Sequence, residues 1–399
     1  MDKPSVWFIT YTIADGKKSG ASVYLFEFAK RLQQSNFVKM IFITNELGKR
    51  ALNEAGINKG HFMPVPTIRG FLYKNYWIKQ LLRSLQAYKF YKAKTGASEQ
   101  PYTKCIIFSH SDRLADVAWA YALKRKLKGC YWVASFFHVV PPPLLYFRHP
   151  PTLVINDIIR WLENQLVIKI INQGADAIFT ESTYIKSYFI NEGYKGKFVI
   201  LQGGYEKDLF NRQALETKEK KYDACFIGRF FEYKGIYDLL KAWMLVKKDI
   251  TNAKLLLIGD GPNYALKRIW ELVLESDLLN NVVIVRNPTD AQKIKLLTQC
   301  KVLGFPSYAE GIPLVFYEAM YLGIPVVTYF LPSYADIKPC IIGVKIGHIK
   351  ELAKALEVLI KNDELRTLMS RRAELCASGH DWDNLFLSFI NQLDSIGII

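Results

Sequence analysis

The chain has 399 residues, enough for two domains that each bury a full core. Half of the residues are hydrophobic, which fits a globular protein, yet no apolar run reaches the roughly 18 residues of a membrane-spanning helix. The net charge is +16, and it is uneven: residues 1–200 hold 28 Lys/Arg and 13 Asp/Glu, the remainder 25 and 24. The excess points to an anionic partner on the first half: a membrane surface, a phosphorylated acceptor or nucleic acid. Six cysteines (105, 130, 225, 300, 340, 376) are scattered without a Cys-x-x-Cys, several in apolar runs. They read as buried free thiols of a reducing compartment, without zinc or disulfide chemistry.

The first half alternates two patterns. Val6 to Thr10 reads as a strand and carries no signal-peptide pattern; Ser19 to Gln34 reads as a helix, Lys39 to Thr44 and Cys105 to Ser109 as strands. Asp112 to Leu127 is helical, Tyr131 to Phe137 a strand, Ile158 to Gln173 helical, and Ala177 to Thr180 and Phe198 to Leu201 are strands. A polar stretch, Asn211 to Lys221, reads as a linker. The alternation then restarts. Strands are expected at Asp223 to Ile227, Lys254 to Ile258, Val282 to Val285, Val302 to Phe305 and Val326 to Thr328. Helices are expected at Ile236 to Lys247, Tyr264 to Glu275, Ala291 to Gln299, Leu314 to Leu322 and Trp382 to Leu393. This order predicts two doubly wound α/β domains, Rossmann-like and facing each other across a cleft.

The segment Arg69 to Lys94 carries seven Lys/Arg and seven aromatics, with no acid between Glu54 and Glu99. Ile78, Leu81, Leu82, Leu85 and Tyr88 fall at helical spacing. A basic, aromatic helix suits a membrane interface, with Lys74, Trp77, Lys79 and Arg83 as the lipid- or acceptor-facing candidates. A core-packed helix with a solvated basic face has the same pattern, and no recognised module supports nucleic acid. His110 and His138 each end a strand-like run, where an α/β sheet presents residues to ligand; either is also the kind of His that a structure buries and satisfies.

In Gly228-Arg229-Phe-Phe-Glu-Tyr-Lys234-Gly235, a strand ends and two cations follow five positions apart. Arg offers a planar fork to phosphate oxygens and Lys a point charge, which together neutralise a diphosphate without a metal. Gly259-Asp-Gly261-Pro is a Gly-rich turn after a strand, but Tyr264 replaces the third Gly of a dinucleotide fingerprint. The last pattern is Pro306-Ser307…Glu310-Gly311-Ile312-Pro313-Leu314…Glu318-Ala319…Gly323-Ile324-Pro325-Val326-Val327. Glu310 lies at the mouth of a helix, whose free N–H groups suit phosphate, and Glu318 about two turns on. Either Glu alone is equally a solvated turn or surface residue.

Together these motifs resemble the family-four retaining glycosyltransferases with the GT-B fold, closely in 223–330 and loosely in 1–200. The resemblance implies an N-terminal acceptor domain over 1–210, a nucleotide-sugar domain over 211–381, and a final helix, about 382–399, packing back on the first. It implies that Arg229 and Lys234 hold the donor diphosphate. Glu310 then meets the sugar hydroxyls and Glu318 the ribose, with Gly311, Ile312 and Leu314 completing the stretch. Gly259 and Asn287 would border the nucleotide, Gly20 the phosphates, and His138 the reacting carbon, making His138 and Glu310 the catalytic candidates. Two departures stand out: Pro313 replaces a Gly and lacks an N–H, and Ser19 replaces the first of two glycines.

The implied activity is transfer of a hexose from a nucleotide-sugar to an acceptor hydroxyl on a lipid-linked or cell-surface glycan, at the cytoplasmic face of a membrane. No cofactor and no metal are expected; the Asp381-Trp-Asp383 pair suits a helix cap better than a metal site. The alternative is a non-catalytic membrane- or polyanion-binding protein on a degenerate GT-B scaffold. A nicotinamide dehydrogenase would need a complete glycine fingerprint, which is lacking.

Overall fold

A computed structural model describes residues 3–15, 20–35, 37–65, 76–92, 105–142, 151–210 and 219–399. Strand β1, Ser5–Ile9, is Ser5 followed by four apolar residues, all buried as a central parallel strand must be. It is flanked by β2 (Lys39–Thr44) and β4 (Cys105–Ser109), with β3 (His61–Pro64), β5 (Cys130–Ser135), β6 (Ala177–Thr180) and β7 (Lys197–Ile200) outside them. Among the described residues these seven strands make one parallel sheet in the order β3-β2-β1-β4-β5-β6-β7. The order reverses between β1 and β4. Helices α1 (Gly20–Ser35), α2 (Glu46–Glu54), α3 (Tyr76–Lys92), α4 (Leu114–Lys126), α5 (Pro151–Gly174) and α6 (Thr183–Asn191) belong with it.

The second sheet contains β8 (Tyr222–Ile227), β9 (Leu255–Ile258), β10 (Val282–Val285), β11 (Cys300–Phe305), β12 (Val326–Tyr329) and β13 (Ile341–Val344). Its order among the described residues is β10-β9-β8-β11-β12-β13, again parallel and again reversing, here between β8 and β11. Its helices are α7 (Ile236–Asp249), α8 (Asn263–Glu275), α9 (Asp290–Thr298), α10 (Leu314–Tyr321), α11 (Ile349–Lys361) and α12 (Asp363–Ala377). The last helix, α13, is Trp382–Ser395.

The chain divides into unit 1, Met1–Leu201 with Leu385–Ile399, and unit 2, Gln202–Asn384. The division therefore precedes the expected boundary at 210. Residues after β7 are already anchored in unit 2: Tyr205 bridges to Asp381 and stacks on Tyr321 at 4.1 Å. Within unit 1, Phe389 of α13 stacks on Phe28 of α1 at 4.6 Å, and the Gln392 side chain caps the Ile200 backbone. Asp381 accepts from the Asp383 and Asn384 amides and so caps α13. Residues 211–218 of the expected linker lie outside the described residues.

One expectation is overturned. Cys105 and Cys130 are paired, as are Cys340 and Cys376, while Cys225 and Cys300 are buried free thiols. The parallel register sets Cys105 directly opposite Cys130 on neighbouring strands, with Cα atoms 4.4 Å apart. Spacing along the chain carries no trace of that register.

Candidate functional site

Open α/β sheets bind ligands beyond the carboxyl ends of their strands, where the strand order reverses. In unit 2 that point receives two loops, 228–235 after β8 and 306–313 after β11. They meet backbone to backbone. Gly235 has φ +74°, and a Cβ there would run into the Pro306 carbonyl; Gly259, with φ +146°, stands in the same relation to the Gly228 carbonyl. Only glycine fits both positions.

This approach brings the two charged motifs together. Lys234 forms an ion pair with Glu310. The Ser307 hydroxyl lies 2.9 Å from Glu310 Oε1 and 3.0 Å from the Tyr233 carbonyl, and the Tyr308 amide donates to that same carbonyl at 2.8 Å. Ser333 Oγ donates to the Glu310 and Gly311 carbonyls, 3.0 and 3.2 Å away. Asp238 of α7, buried, takes hydrogen bonds from the hydroxyls of Tyr308 and Tyr329. Burial, and then Asp238 itself, push the Tyr329 phenol far up, so it stays a donor. Glu310 is thus held by Lys234, Ser307 and Ser333, of which Ser333 lies outside the sequence motifs. Asp238 left one signal, an acid inside the apolar run of α7.

Glu318 has its own lysine. Lys293 of α9 donates to Glu318 Oε1 at 2.7 Å, with Asp290 at 3.7 Å. Burial opposes the Lys293 charge most strongly, yet Glu318 and Asp290 outweigh it and raise its pKa above the ordinary lysine value. Glu318 is the fifth residue of α10, which begins at Leu314 as expected, and so lies just over one turn from its start rather than two. Each carboxylate of the Glu-x7-Glu pair is therefore ion-paired and half-buried. An ammonium has three donors, so either lysine can hold its glutamate and a phosphate or hydroxyl oxygen together.

Arg229 is exposed, with its guanidinium 5.3 Å from the Phe231 ring. After β9 and β10, Asp260 takes a hydrogen bond from Asn287 Nδ2 and one from Arg286 Nε, both 2.9 Å. Those bonds, from Asn287 first, hold the Asp260 carboxyl below its usual range. Asn287 itself sits at φ +45°, a left-handed conformation that Asn tolerates. Gly259 opens this turn; Gly311 and Leu314 are half-buried, and the Ile312 side chain lies in the unit 2 core, so ligand contact there falls to backbone.

In unit 1, Gly20 is the exposed first residue of α1; Ser19 lies outside the described residues. His138 follows β5, half-buried, and Asn164 of α5 clamps its loop by bonding the His138 carbonyl and the Val140 amide. Helix α3 corrects the surface reading of Arg83. Its inner face is Gln80, Arg83 and Ala87, with the Arg83 guanidinium 4.6 Å from the Tyr11 ring and 1% exposed. The outer face carries Leu81, Leu85 and Tyr88, exposed by 57, 46 and 53%. The polar residue is inside and the apolar row outside. Trp77 is half-buried, while Lys74 and the Lys79 side chain lie outside the described residues. Helix α5 adds exposed Ile158, Leu162 and Leu166. Among the described residues no helix is long and apolar enough to cross a membrane.

Residues 208–375 match the family model for glycosyl transferases group 1. The chain is 25% identical over 293 residues to an uncharacterized glycosyltransferase of Methanocaldococcus jannaschii, covering 60% of this chain and 69% of that one. It is 28% identical over 208 residues to the capsular polysaccharide biosynthesis glycosyltransferase CapM of Staphylococcus aureus, covering 47% of this chain and about half, 52%, of that protein. The crystal structure of Anabaena HepE in complex with UDP and glucose has a TM-score of 0.69 at 16% identity, covering 98% and 99% of the two chains. That likeness is one of fold, GT-B.

Proposed function

From the premise that residues 208–375 are a group 1 glycosyl transferase domain, we propose that the chain is a retaining hexosyltransferase drawing on a nucleotide-sugar. The observation that carries this is the pair of glutamates at the reversal point of unit 2, each ion-paired, with Arg229 on the loop after β8. In this reading Arg229 and Lys234 neutralise the departing diphosphate, a charge that develops as the sugar leaves. Glu310 holds sugar hydroxyls and Glu318 the ribose. His138 sits by the reacting carbon. Side chains alone meet the donor charge, so no metal or cofactor is called for. The HepE complexes, which hold UDP and glucose, favour UDP as the first nucleotide to test.

The acceptor in this reading is a lipid-linked or cell-surface glycan, taken from unit 1 at the cytoplasmic face of a membrane. Its support is the apolar rows of α3 and α5, exposed on the half of the chain that carries nearly all the excess positive charge. Anionic lipid suits both features.

The test is thermal shift with UDP, GDP and ADP on wild type and Arg229→Ala. Ligand at about 100 times its Kd stabilises by roughly 2.7 kcal/mol. A shift with one nucleotide, lost in Arg229→Ala, is the expected result. No shift with any nucleotide, together with vesicle binding that survives Glu310→Ala, overturns it in favour of a non-catalytic membrane-binding protein.

A further inference from the structure

The reversal point of unit 1 lies between β1 and β4, and four polar side chains gather just beyond those strands. Asp116, fully buried in the first turn of α4, accepts the Thr12 amide at 3.2 Å on Oδ1. Its Oδ2 accepts the hydroxyls of Thr12 and Ser111, both at 2.5 Å. His110, 2% exposed, directs Nδ1 at two oxygens: the Ile9 carbonyl at 2.8 Å and Asp116 Oδ2 at 3.3 Å. Both are acceptors, so Nδ1 carries the proton, and in the neutral ring Nε2 is left with a lone pair. Among the described residues Nε2 has no hydrogen-bond partner.

Every other polar group of the cluster is satisfied inside it. Thr12 and Ser111 fix the carboxylate, the Ile9 carbonyl with that carboxylate beside it fixes the tautomer, and the tautomer leaves one acceptor open at the place where an α/β sheet receives ligand. We propose that His110 Nε2 accepts a hydrogen bond from a hydroxyl of the acceptor substrate, and that Asp116 is the positioning residue that, with the Ile9 carbonyl, holds the ring in that tautomer. The site takes a neutral alcohol donor, such as a sugar hydroxyl. This rests on the glycosyl-transfer reading above.

The experiment pairs UDP-, GDP- and ADP-hexoses with octyl glucoside, diacylglycerol vesicles and a polyprenyl-diphosphate sugar, using the full chain. For the acceptor that wild type glycosylates, His110→Phe raises the acceptor KM about tenfold or more, the worth of one hydrogen bond to a buried group. The nucleotide thermal shift persists, and His110→Gln, which keeps an acceptor near Nε2, recovers part of the loss. Asp116→Asn shows the same acceptor KM rise with a smaller change in donor KM, and it carries the test where His110→Phe does not fold. Wild-type transfer with an unchanged acceptor KM in these variants overturns this inference alone. No transfer by wild type with any pair overturns the glycosyl-transfer reading and this inference with it.

Discussion

Both sheets reverse their strand order, one between β1 and β4, the other between β8 and β11, but their edges there are built differently. Unit 2 presents lysine–glutamate pairs: Lys234 with Glu310 and Lys293 with Glu318, half-buried and within reach of solvent. Unit 1 presents one buried carboxylate, Asp116, wrapped by two hydroxyls and an imidazole. The first edge can exchange an internal ion pair for phosphate or sugar oxygens. The second has spent its charge internally and offers a single neutral acceptor. The contrast separates what can bind an anion from what can bind an alcohol, though both edges arise from the same topology.

The sharpest way to break that contrast is Glu310→Gln. In the proposed reading, replacing the carboxylate by an amide weakens its bonds to sugar hydroxyls and releases Lys234 for a phosphate oxygen. Transfer is expected to fall about 100- to 1000-fold, while the nucleotide thermal shift is kept or enlarged. Steady-state kinetics beside thermal shift reads both. If transfer stays within a fewfold of wild type, Glu310 is only a partner for Lys234, and the charged edge is structural.

A second test bears on how unit 2 builds its edge. Gly235→Ala places a methyl against the Pro306 carbonyl at a left-handed φ, and backbone cannot move aside as a side chain can. Strain alone costs about 1–3 kcal/mol. Urea unfolding should show the loss, and hydrogen exchange should place it in 222–235 and 300–313 with unit 1 unchanged. Loosening spread evenly over both units would contradict a local clash.

How far all this was legible in the sequence differs between the two edges. In unit 2 the charged residues stand in short runs with glycine punctuation, so Arg229, Lys234, Glu310 and Glu318 could be named from their spacing and from resemblance. Lys293, the partner of Glu318, could not be, nor could Asp238 beneath Tyr308: both come from other helices, and only the sheet order brings them in. In unit 1, His110 was visible as a strand-end histidine, but Asp116 looked like any acid at a helix start until β1 and β4 set Thr12 beside it. Helix α3 misled for a different reason. Periodicity identifies an apolar face without saying which way it points, and here the face turned inward carries Arg83 under Tyr11. The cysteine pairs depend on strand register and on elements 36 residues apart, which periodicity does not encode.

The smallest expected effect concerns pH. His380 stacks on Tyr317 at 4.7 Å within unit 2, and burial pushes its pKa below the ordinary 6.5, against weaker pulls from the Ser378 carbonyl and Asp381. The unfolded chain therefore takes up a proton at a pH where the folded one does not. Below about 6.5 the unfolded state binds more protons, so stability falls with pH until the folded pKa is passed. Between about pH 7 and about pH 5.5 the wild type should lose a little melting temperature, and His380→Phe, which keeps a ring against Tyr317, should lose less. Calorimetry at both pH values measures the difference. Equal slopes would mean that the unit 2 acid response comes from elsewhere, and its carboxylates would be the next groups to replace. A flatter slope in the variant, with hydrogen exchange showing the change confined to unit 2, would tie the acid sensitivity to the unit whose edge is built from ion pairs.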